Sequence, residues 1–189
     1  MKSIRTKMTN TEIVKKSKFI AIVMPFDDEA RLEEELNKAK LEYPKASHYC
    51  YAYIIDDKSS YEDDGEPSKT AGSRVLELFK LKKLDNILAI IVRYYGGIKL
   101  GTGPLAKAYQ EVVNYCLKEE NLITLVDAYL IDLKITYQEN DEFLAKYKDY
   151  VVKSDFQESI NYQLKIPSDL LSDFEYPYEI IKDIKIKSS

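Results

Sequence analysis

The sequence predicts an α+β protein with two domains, and three observations lead to this prediction. The chain has 189 residues, of which 45% are hydrophobic and 32% are charged, a composition typical of globular proteins rather than disordered or fibrous ones. Strand-like and helix-like patterns alternate in the first part, where all six glycines lie between positions 65 and 103. Beyond residue 125 the patterns follow the order βαββαβ of a ferredoxin-like domain. We therefore predict one domain over 1–123 and another over 124–189.

The first predicted elements are a strand, a helix and a second strand. The apolar run from Phe19 to Met24 predicts a strand that Pro25 ends. Asp27 or Asp28 then caps a helix. The apolar residues of this helix share one face: Leu32, Leu36, Ala39 and Tyr43. From His48 to Ile55 the residues alternate as in a strand, with one face formed by Tyr49, Tyr51 and Tyr53 and the other by Cys50, Ala52 and Ile54.

The glycine-rich part contains two predicted helices on either side of a buried strand. Ser68 to Leu81 has apolar residues at helical spacing. Ile87 to Val92 is a short, β-branched apolar run, which is typical of a strand buried on both faces. Thr102 and Pro104 begin the second helix, which has a wide apolar face.

The second domain repeats the alternation of strands and helices after a boundary segment at 121–127. Its predicted strands are Ala128 to Tyr137, Val151 to Phe156, Ser159 to Ile166 and Ile180 to Ile186. A helix is predicted over Glu139 to Tyr147, and a short one opens at Pro167.

Charge is distributed unevenly along the chain. A net charge of -4 argues against a protein that coats nucleic acids generally. Residues 56–66 contain six acidic residues and one lysine, which predicts an acidic loop, whereas residues 67–110 contain eight basic and two acidic residues. A local basic face of this size could still receive phosphate groups.

The sequence also indicates where in the cell we expect the protein and whether it can hold a structural zinc ion. The longest apolar run, Tyr49 to Ile55, has seven residues, against the roughly 20 that a membrane-spanning helix needs. No export signal follows the basic N-terminus, so we expect a cytoplasmic protein that does not enter membranes. Two cysteines and one histidine are too few for a structural zinc site, and we expect two reduced thiols.

The segment from Tyr94 to Gly103, the glycine loop, links the buried strand to the helix that begins at Thr102 and Pro104, and it is suited to an anion. Glycines let backbone N–H groups converge, and the start of a helix carries partial positive charge. No acidic residue lies between Asp85 and Glu111. The predicted anion-binding or nucleic-acid-binding residues are Arg93, Tyr94, Gly96, Gly97, Lys99, Gly101, Thr102, Gly103 and Lys107. The spacing fits neither a Walker A nor a Rossmann loop. Alternatively, the glycines serve only a tight connection between strand and helix.

A second motif, from Glu62 to Ser68, concentrates carboxylates next to a glycine. Such residues could hold Mg²⁺ or act as general acid and base. The candidates for this metal or polar site are Asp63, Asp64, Glu66 and His48. An acidic turn whose Ser68 caps the following helix explains the same pattern, and a salt bridge from Asp64 or Glu66 to the basic loop is a third interpretation. We expect no cofactor other than this Mg²⁺ alternative.

The strand from His48 to Ile55 carries two further candidate sites. His48 and Cys50 share a face at roughly 7 Å, too far for a Cys–His catalytic pair, so a histidine packed in the core is the simpler interpretation. The tyrosine stripe could stack nucleic-acid bases, although ordinary half-buried strand tyrosines explain it equally well.

Three blocks of the sequence resemble the signature of the YigZ/IMPACT family. The blocks are His48-x-Cys50-x-Ala52-Tyr53, Asp63-Asp64-Gly65-Glu66-Pro67-x-x-Thr70-Ala71-Gly72, and Arg93-Tyr94-Tyr95-Gly96-Gly97-Ile98-Lys99-Leu100-Gly101-x-Gly103. The resemblance implies that residues 17–120 form a domain similar to the second domain of ribosomal protein S5. It also implies that residues 126–189 form a ferredoxin-like domain similar to domains of elongation factor G. The chain departs from the family pattern at Glu62, Lys69, Pro104 and Lys107.

These observations lead to three functional hypotheses. The favoured one is a protein that binds RNA or a ribosomal surface through Arg93, Lys99, Lys107 and the glycine loop, with a role around translation. The second is a metal-assisted enzyme acting on a small phosphorylated or peptide-like substrate. The third is a protein-interaction module whose acidic second domain docks a partner. Of these, we favour a binding protein over an enzyme.

Overall fold

The structure is a computed structural model that describes residues 1–56 and 58–188. It divides into two compact units, Met1–Thr124 and Leu125–Ser189, and each contains strands and helices. The predicted α+β class with two domains is confirmed. No helix of the described chain combines the length and the apolar character that crossing a membrane requires.

The strands of the first unit are β1 (Lys2–Ile4), β2 (Met8–Val14), β3 (Ser17–Pro25), β4 (His48–Ile55), β5 (Lys58–Glu62) and β6 (Ile87–Tyr94). Five of them form an antiparallel sheet in the order β2-β3-β6-β4-β5. The helices of this unit are α1 (Leu32–Glu42), α2 (Gly72–Leu81) and α3 (Thr102–Asn114). β1 lies outside this sheet and pairs with residues 122–124.

β6 forms the centre of the sheet and separates two apolar clusters. Its first seven residues are buried, which confirms the prediction of a strand covered on both faces. The cluster on one face includes residues of α2 and α3, and the cluster on the other includes Ala39 of α1. β4 contributes Cys50 to the first cluster and Tyr53 to the second, as its alternation predicts. The tyrosine stripe packs in the second cluster, so it does not form an open platform for bases.

Three strands of the first unit have no counterpart among the predicted elements, and one helix begins later than predicted. β1, β2 and β5 are short or polar, and β5 falls inside the segment predicted to be an acidic loop. β2 and β5 lie at the edges of the sheet, where exposed polar side chains suffice. The predicted helix from Ser68 begins only at Gly72. A Cβ on Gly72 would lie 2.2 Å from the carbonyl oxygen of Tyr51, so the chain passes against β4 before the helix starts.

The second unit has the ferredoxin-like strand order. Its elements are β7 (Leu122–Ile135, which begins in the first unit), α4 (Asn140–Tyr147), β8 (Val151–Phe156), β9 (Ile160–Pro167), α5 (Ser168–Leu171) and β10 (Tyr178–Lys187). The strands form an antiparallel sheet in the order β10-β7-β9-β8. Phe143 of α4 is fully buried against one face of this sheet, where alternate residues of β7 and β9 form a single core.

Candidate functional site

The acidic motif and the glycine loop meet at one end of the first unit's sheet. His48, the first residue of β4, lies opposite Arg93 near the end of β6. The acidic motif follows β5, which pairs with β4, and the glycine loop follows β6. The sheet therefore brings together three segments that are far apart in the sequence.

The two aspartates of the acidic motif hold the backbone of the surrounding turns. The Asp63 carboxylate accepts hydrogen bonds from the backbone N–H groups of Lys69, Ala71 and Ser73, at 2.9 to 3.3 Å. It thereby satisfies backbone donors at the start of α2. This is the capping role that the sequence predicts for Ser68. The Asp64 carboxylate accepts the N–H of Tyr49 at 2.6 Å. Both aspartates serve as structural acceptors in this arrangement.

Glu66 and Arg93 form a buried ion pair that joins the acidic motif to β6. Their side chains are only 4% and 5% exposed. The same Glu66 oxygen also accepts the hydroxyl of Tyr109 on α3, at 2.7 Å. The Arg93 guanidinium packs near the rings of Phe19 and Tyr95 and donates to the Ser17 hydroxyl. The salt bridge from Glu66 to the basic segment, one of three interpretations of the motif, is therefore present.

His48 and Cys50 lie beside this ion pair but have different environments. Nδ1 of His48 lies 2.8 Å from the carbonyl oxygen of Asp64, and because a carbonyl only accepts, this nitrogen donates. Nε2 then faces the second oxygen of Glu66 at 3.8 Å. His48 therefore belongs to a polar cluster at the rim of the sheet, and the prediction of a histidine packed in the core is wrong.

The Cys50 thiol is fully buried, 3.2 Å from the carbonyl oxygen of Asp63 and 3.5 Å from the Tyr109 hydroxyl. Burial raises the pKa of Cys50 well above its ordinary value, and burial likewise raises that of Tyr109. A thiol held in its protonated form is a poor nucleophile, so the polar cluster does not provide a cysteine–histidine catalytic pair.

Three of the predicted anion-binding residues instead support the fold. Arg93 is buried and neutralised by Glu66, so its charge does not face a ligand. Tyr94 is half-buried and donates its hydroxyl to the carbonyl of Pro44. The N–H of Gly96 donates to Ser17, and a Cβ at this position would lie 2.1 Å from the backbone of Lys16. These three placements correct the prediction, because partners within the first unit (Glu66, Pro44 and Ser17) already occupy the groups that an anion would need.

The remaining predicted residues are exposed, as an anion-binding surface requires. These residues are Gly97, Lys99, Gly101, Thr102, Gly103 and Lys107. Gly97 and Gly101 have φ values of +81° and +84°, which favour glycine. The N-cap residue of α3 is Gly101, which has no side chain to cap the helix, and Pro104 has no N–H, so Thr102 and Gly103 supply the N–H groups at the start of α3. Lys107 lies 3.5 Å from Glu111, one turn along the helix.

Sequence reasoning missed a second source of positive charge next to this loop. The turn between β2 and β3 packs against Gly96 and carries exposed lysines at positions 15 and 16, followed by the exposed Lys18. Lys18 is the register partner of Tyr94 on β6. We call Lys15, Lys16, Lys18 and Lys99 the lysine surface. The signal in the sequence was the run of lysines between positions 15 and 18, but nothing local connects it to a glycine 80 residues away.

The described residues contain no group of three or more His, Cys, Asp or Glu side chains that could hold a metal ion. The Asp63 oxygens are engaged by backbone donors, and Glu66 is engaged by Arg93 and Tyr109. Within the described residues, the side chains proposed for a Mg²⁺ site do not form a set of metal ligands. These side chains are Asp63, Asp64, Glu66 and His48.

Comparison with known proteins shows what the chain resembles. Residues 15–117 match the family described as the Impact N-terminal domain. The chain is 30% identical over 175 residues to the IMPACT family member YigZ of Escherichia coli, covering 88% of this chain and 86% of the relative. It is 32% identical over 171 residues to an IMPACT family member of Haemophilus influenzae, covering 86% and 83%. A crystal structure of a hypothetical protein aligns with a TM-score of 0.67 and 29% identity, covering 91% of this chain and 87% of that one.

Proposed function

The chain belongs to the IMPACT family, and from this premise we propose that it binds RNA, free or within the ribosome, through the lysine surface and acts in the regulation of translation. Membership alone does not specify a ligand, so the choice of RNA depends on the chemistry of the site. The observation that carries the proposal is the packing of the lysine-bearing β2–β3 turn against Gly96, which places Lys16 and Ser17 beside the glycine loop.

The composition of this surface favours a phosphate backbone with accessible bases. Lysine ammonium groups neutralise phosphates as point charges, and single-stranded nucleic acid also stacks on exposed aromatic rings. Tyr95 supplies the aromatic ring of the loop, 46% exposed with the Arg93 guanidinium near it, and Ile98 adds an exposed apolar side chain. No acidic residue lies between positions 86 and 110, so nothing in the loop itself opposes an incoming phosphate.

The test is RNA binding by the full chain at two salt concentrations, with paired lysine variants. Lys18→Ala with Lys99→Ala is expected to weaken binding about tenfold at low salt and to reduce the magnitude of the salt slope by about 1 to 2. Both lysines are exposed, and neither has a left-handed backbone, so the substitutions should not disturb the fold. Lys107→Ala is expected to have a smaller effect because Glu111 already pairs with Lys107.

The matched control removes the same charge from elsewhere in the chain. Lys80 and Lys148 are also exposed, and they lie at the end of α2 and just after α4. Lys80→Ala with Lys148→Ala is expected to leave the affinity within about twofold of the original. Equal losses in the two double variants would mean that net charge alone drives binding, and no binding at low salt would remove the RNA proposal.

The third hypothesis from the sequence, a protein-interaction module whose acidic second domain docks a partner, has its own test. Its check is a pull-down with residues 126–189 deleted, in which loss of captured partners would favour the module and an unchanged pull-down would count against it. The acidic motif does not support the hypothesis of a metal-assisted enzyme, because its carboxylates accept hydrogen bonds from backbone N–H groups and pair with Arg93.

A further inference from the structure

β8 lies at one edge of the second unit's sheet and pairs with β9 on one side. Within the part of the chain that the structure describes, no strand pairs with its other side. Residues 152–156 are all exposed, and they include Val152 and Phe156 at 49% and 56%. An unpaired edge strand with exposed apolar side chains is a template for pairing with another strand.

The sequence of β8 is complementary to itself when two copies run antiparallel. If Ser154 faces its own copy, Lys153 of one chain faces Asp155 of the other, and Val152 faces Phe156. Opposite charges and apolar pairs that face each other across strands are stabilising. A symmetric contact needs this property because the same surface appears on both partners.

The register within the sheet places these side chains on suitable faces. Lys153 and Asp155 oppose Gln163 and Asn161 of β9, so both charges lie on one face of the sheet. Phe156 opposes Ile160, a core residue, and so lies on the other face of the sheet, where its side chain stays exposed. Neither Lys153 nor Asp155 forms an ion pair within the described residues. The Asp155 carboxylate accepts one hydrogen bond, from the side-chain amide of Gln157 at 2.8 Å, which leaves its charge without a counter-charge.

We propose that two copies of this chain associate through β8, antiparallel, about a two-fold axis at Ser154. The pairing joins two four-stranded sheets into one sheet of eight strands. A register shift between Val151 and Lys153 interrupts the regular ladder, so the pairing is centred on residues 153–155.

A second edge strand, β5, has a similar charge symmetry with Lys58 and Glu62 on either side of Ser60. The structure favours β8 because two exposed apolar residues, Val152 and Phe156, lie on either side of its centre, whereas Tyr61 is the exposed large apolar residue of β5.

The first experiment is disulfide cross-linking of the full-length protein carrying Ser154→Cys. At the two-fold axis the two Cα atoms lie within the range of about 4.4–6.8 Å that a disulfide bridges. The native cysteines, Cys50 and Cys116, are buried and should not compete. The control is Glu158→Cys, also exposed. β8 ends at Phe156, whose two copies would already lie about 13 Å apart by strand rise, and Glu158 lies beyond this end, too far from its copy for a disulfide. We expect the Ser154→Cys dimer to form at least about tenfold faster than the control dimer.

The second experiment is charge reversal, with the dimer dissociation constant measured by analytical ultracentrifugation. Lys153→Asp places two like-charged pairs at the contact and is expected to raise this constant at least about tenfold. Adding Asp155→Lys to the same chain restores opposite charges and is expected to return the constant to within about threefold of the original.

Four results would overturn the proposal. The first is a protein that stays monomeric up to about 0.1 mM. The second and third concern cross-linking: equal rates for Ser154→Cys and Glu158→Cys, or a faster rate for Ser60→Cys than for Ser154→Cys. The fourth is a loss of dimer in Lys153→Asp that adding Asp155→Lys does not restore. Residues 153–155 are exposed, so loss of folding does not explain a negative result from Ser154→Cys or from the charge reversal.

Discussion

At the scale of single residues, the central feature of the candidate site is the pair formed by Glu66 and Arg93. Burying either charge alone costs several kcal/mol, and here each is stabilised by the other and by additional hydrogen bonds from Tyr109 and to Ser17. Because these partners come from β3, the acidic motif and α3, the pair fixes the position of all three relative to β6. Its role is to shape the surface around the glycine loop rather than to contact a ligand.

We predict that Glu66→Ala lowers the free energy of unfolding by about 3–5 kcal/mol, because it leaves Arg93 buried without a counter-charge. The measurement is urea denaturation of the wild type and the variant. Replacing both residues by methionine should cost less than the sum of the two single replacements. The control is Glu77→Ala, which removes the exposed ion pair with Arg74 and should cost less than about 1 kcal/mol. Equal costs for Glu66→Ala and Glu77→Ala would contradict the role of the buried pair.

At the scale of elements, the glycines of the loop between β6 and α3 have different functions. Gly96 permits close approach of two backbones, since a Cβ there would overlap the carbonyl group of Lys16. Gly97 and Gly101 supply left-handed backbone conformations. Gly103, in the first turn of α3, has no atom within 4 Å of where a Cβ would lie. Only part of the glycine pattern is therefore required by the fold.

We predict opposite effects from two glycine-to-alanine substitutions within this loop. Gly96→Ala should destabilise the protein by about 1–3 kcal/mol, because the obstruction is backbone and cannot move as a flexible side chain would. Gly103→Ala should be neutral or stabilising by up to about 1 kcal/mol, since alanine favours helix and meets no neighbour. Thermal unfolding of both variants provides the comparison. An unchanged melting temperature for Gly96→Ala would show that the β2–β3 turn does not pack closely against the loop.

At the scale of the whole molecule, each unit has a core of its own, and both cysteines are buried in the first unit. Burial raises the pKa of Cys116 to about 11, and that of Cys50 further. The folded state therefore keeps both thiols protonated at a pH where the unfolded chain would release the protons. The stability that these groups contribute is complete below the unfolded pKa of about 9 and is lost as the pH rises through the folded values.

We predict that raising the pH from 7.5 to 10 lowers the free energy of unfolding of the first unit by on the order of 1 kcal/mol for each buried thiol. Urea denaturation at the two pH values measures this change. Cys116→Ala should reduce the pH dependence by about one thiol's share, even though the substitution itself costs stability. An unchanged pH dependence in that variant would mean that Cys116 does not titrate in this range.

The periodicity of the sequence determined most of the central elements. β4 was predicted with its observed limits, and β6 and α3 were predicted from a dense apolar run and a wide apolar face. These signals are local, because a residue's burial in a strand or helix recurs at a fixed spacing. The ferredoxin-like order of the second unit followed from the same kind of signal.

The tertiary structure alone decided the environment of the charged and glycine residues. The sequence shows that Arg93 is basic, but Glu66, 27 positions away, makes it a buried ion pair instead of a phosphate ligand. It shows lysines near position 16, but only the contact between Ser17 and Gly96, 79 positions apart, brings them to the glycine loop. Contacts between residues so distant in the chain leave no periodic trace in the sequence, because their formation depends on how the whole sheet assembles.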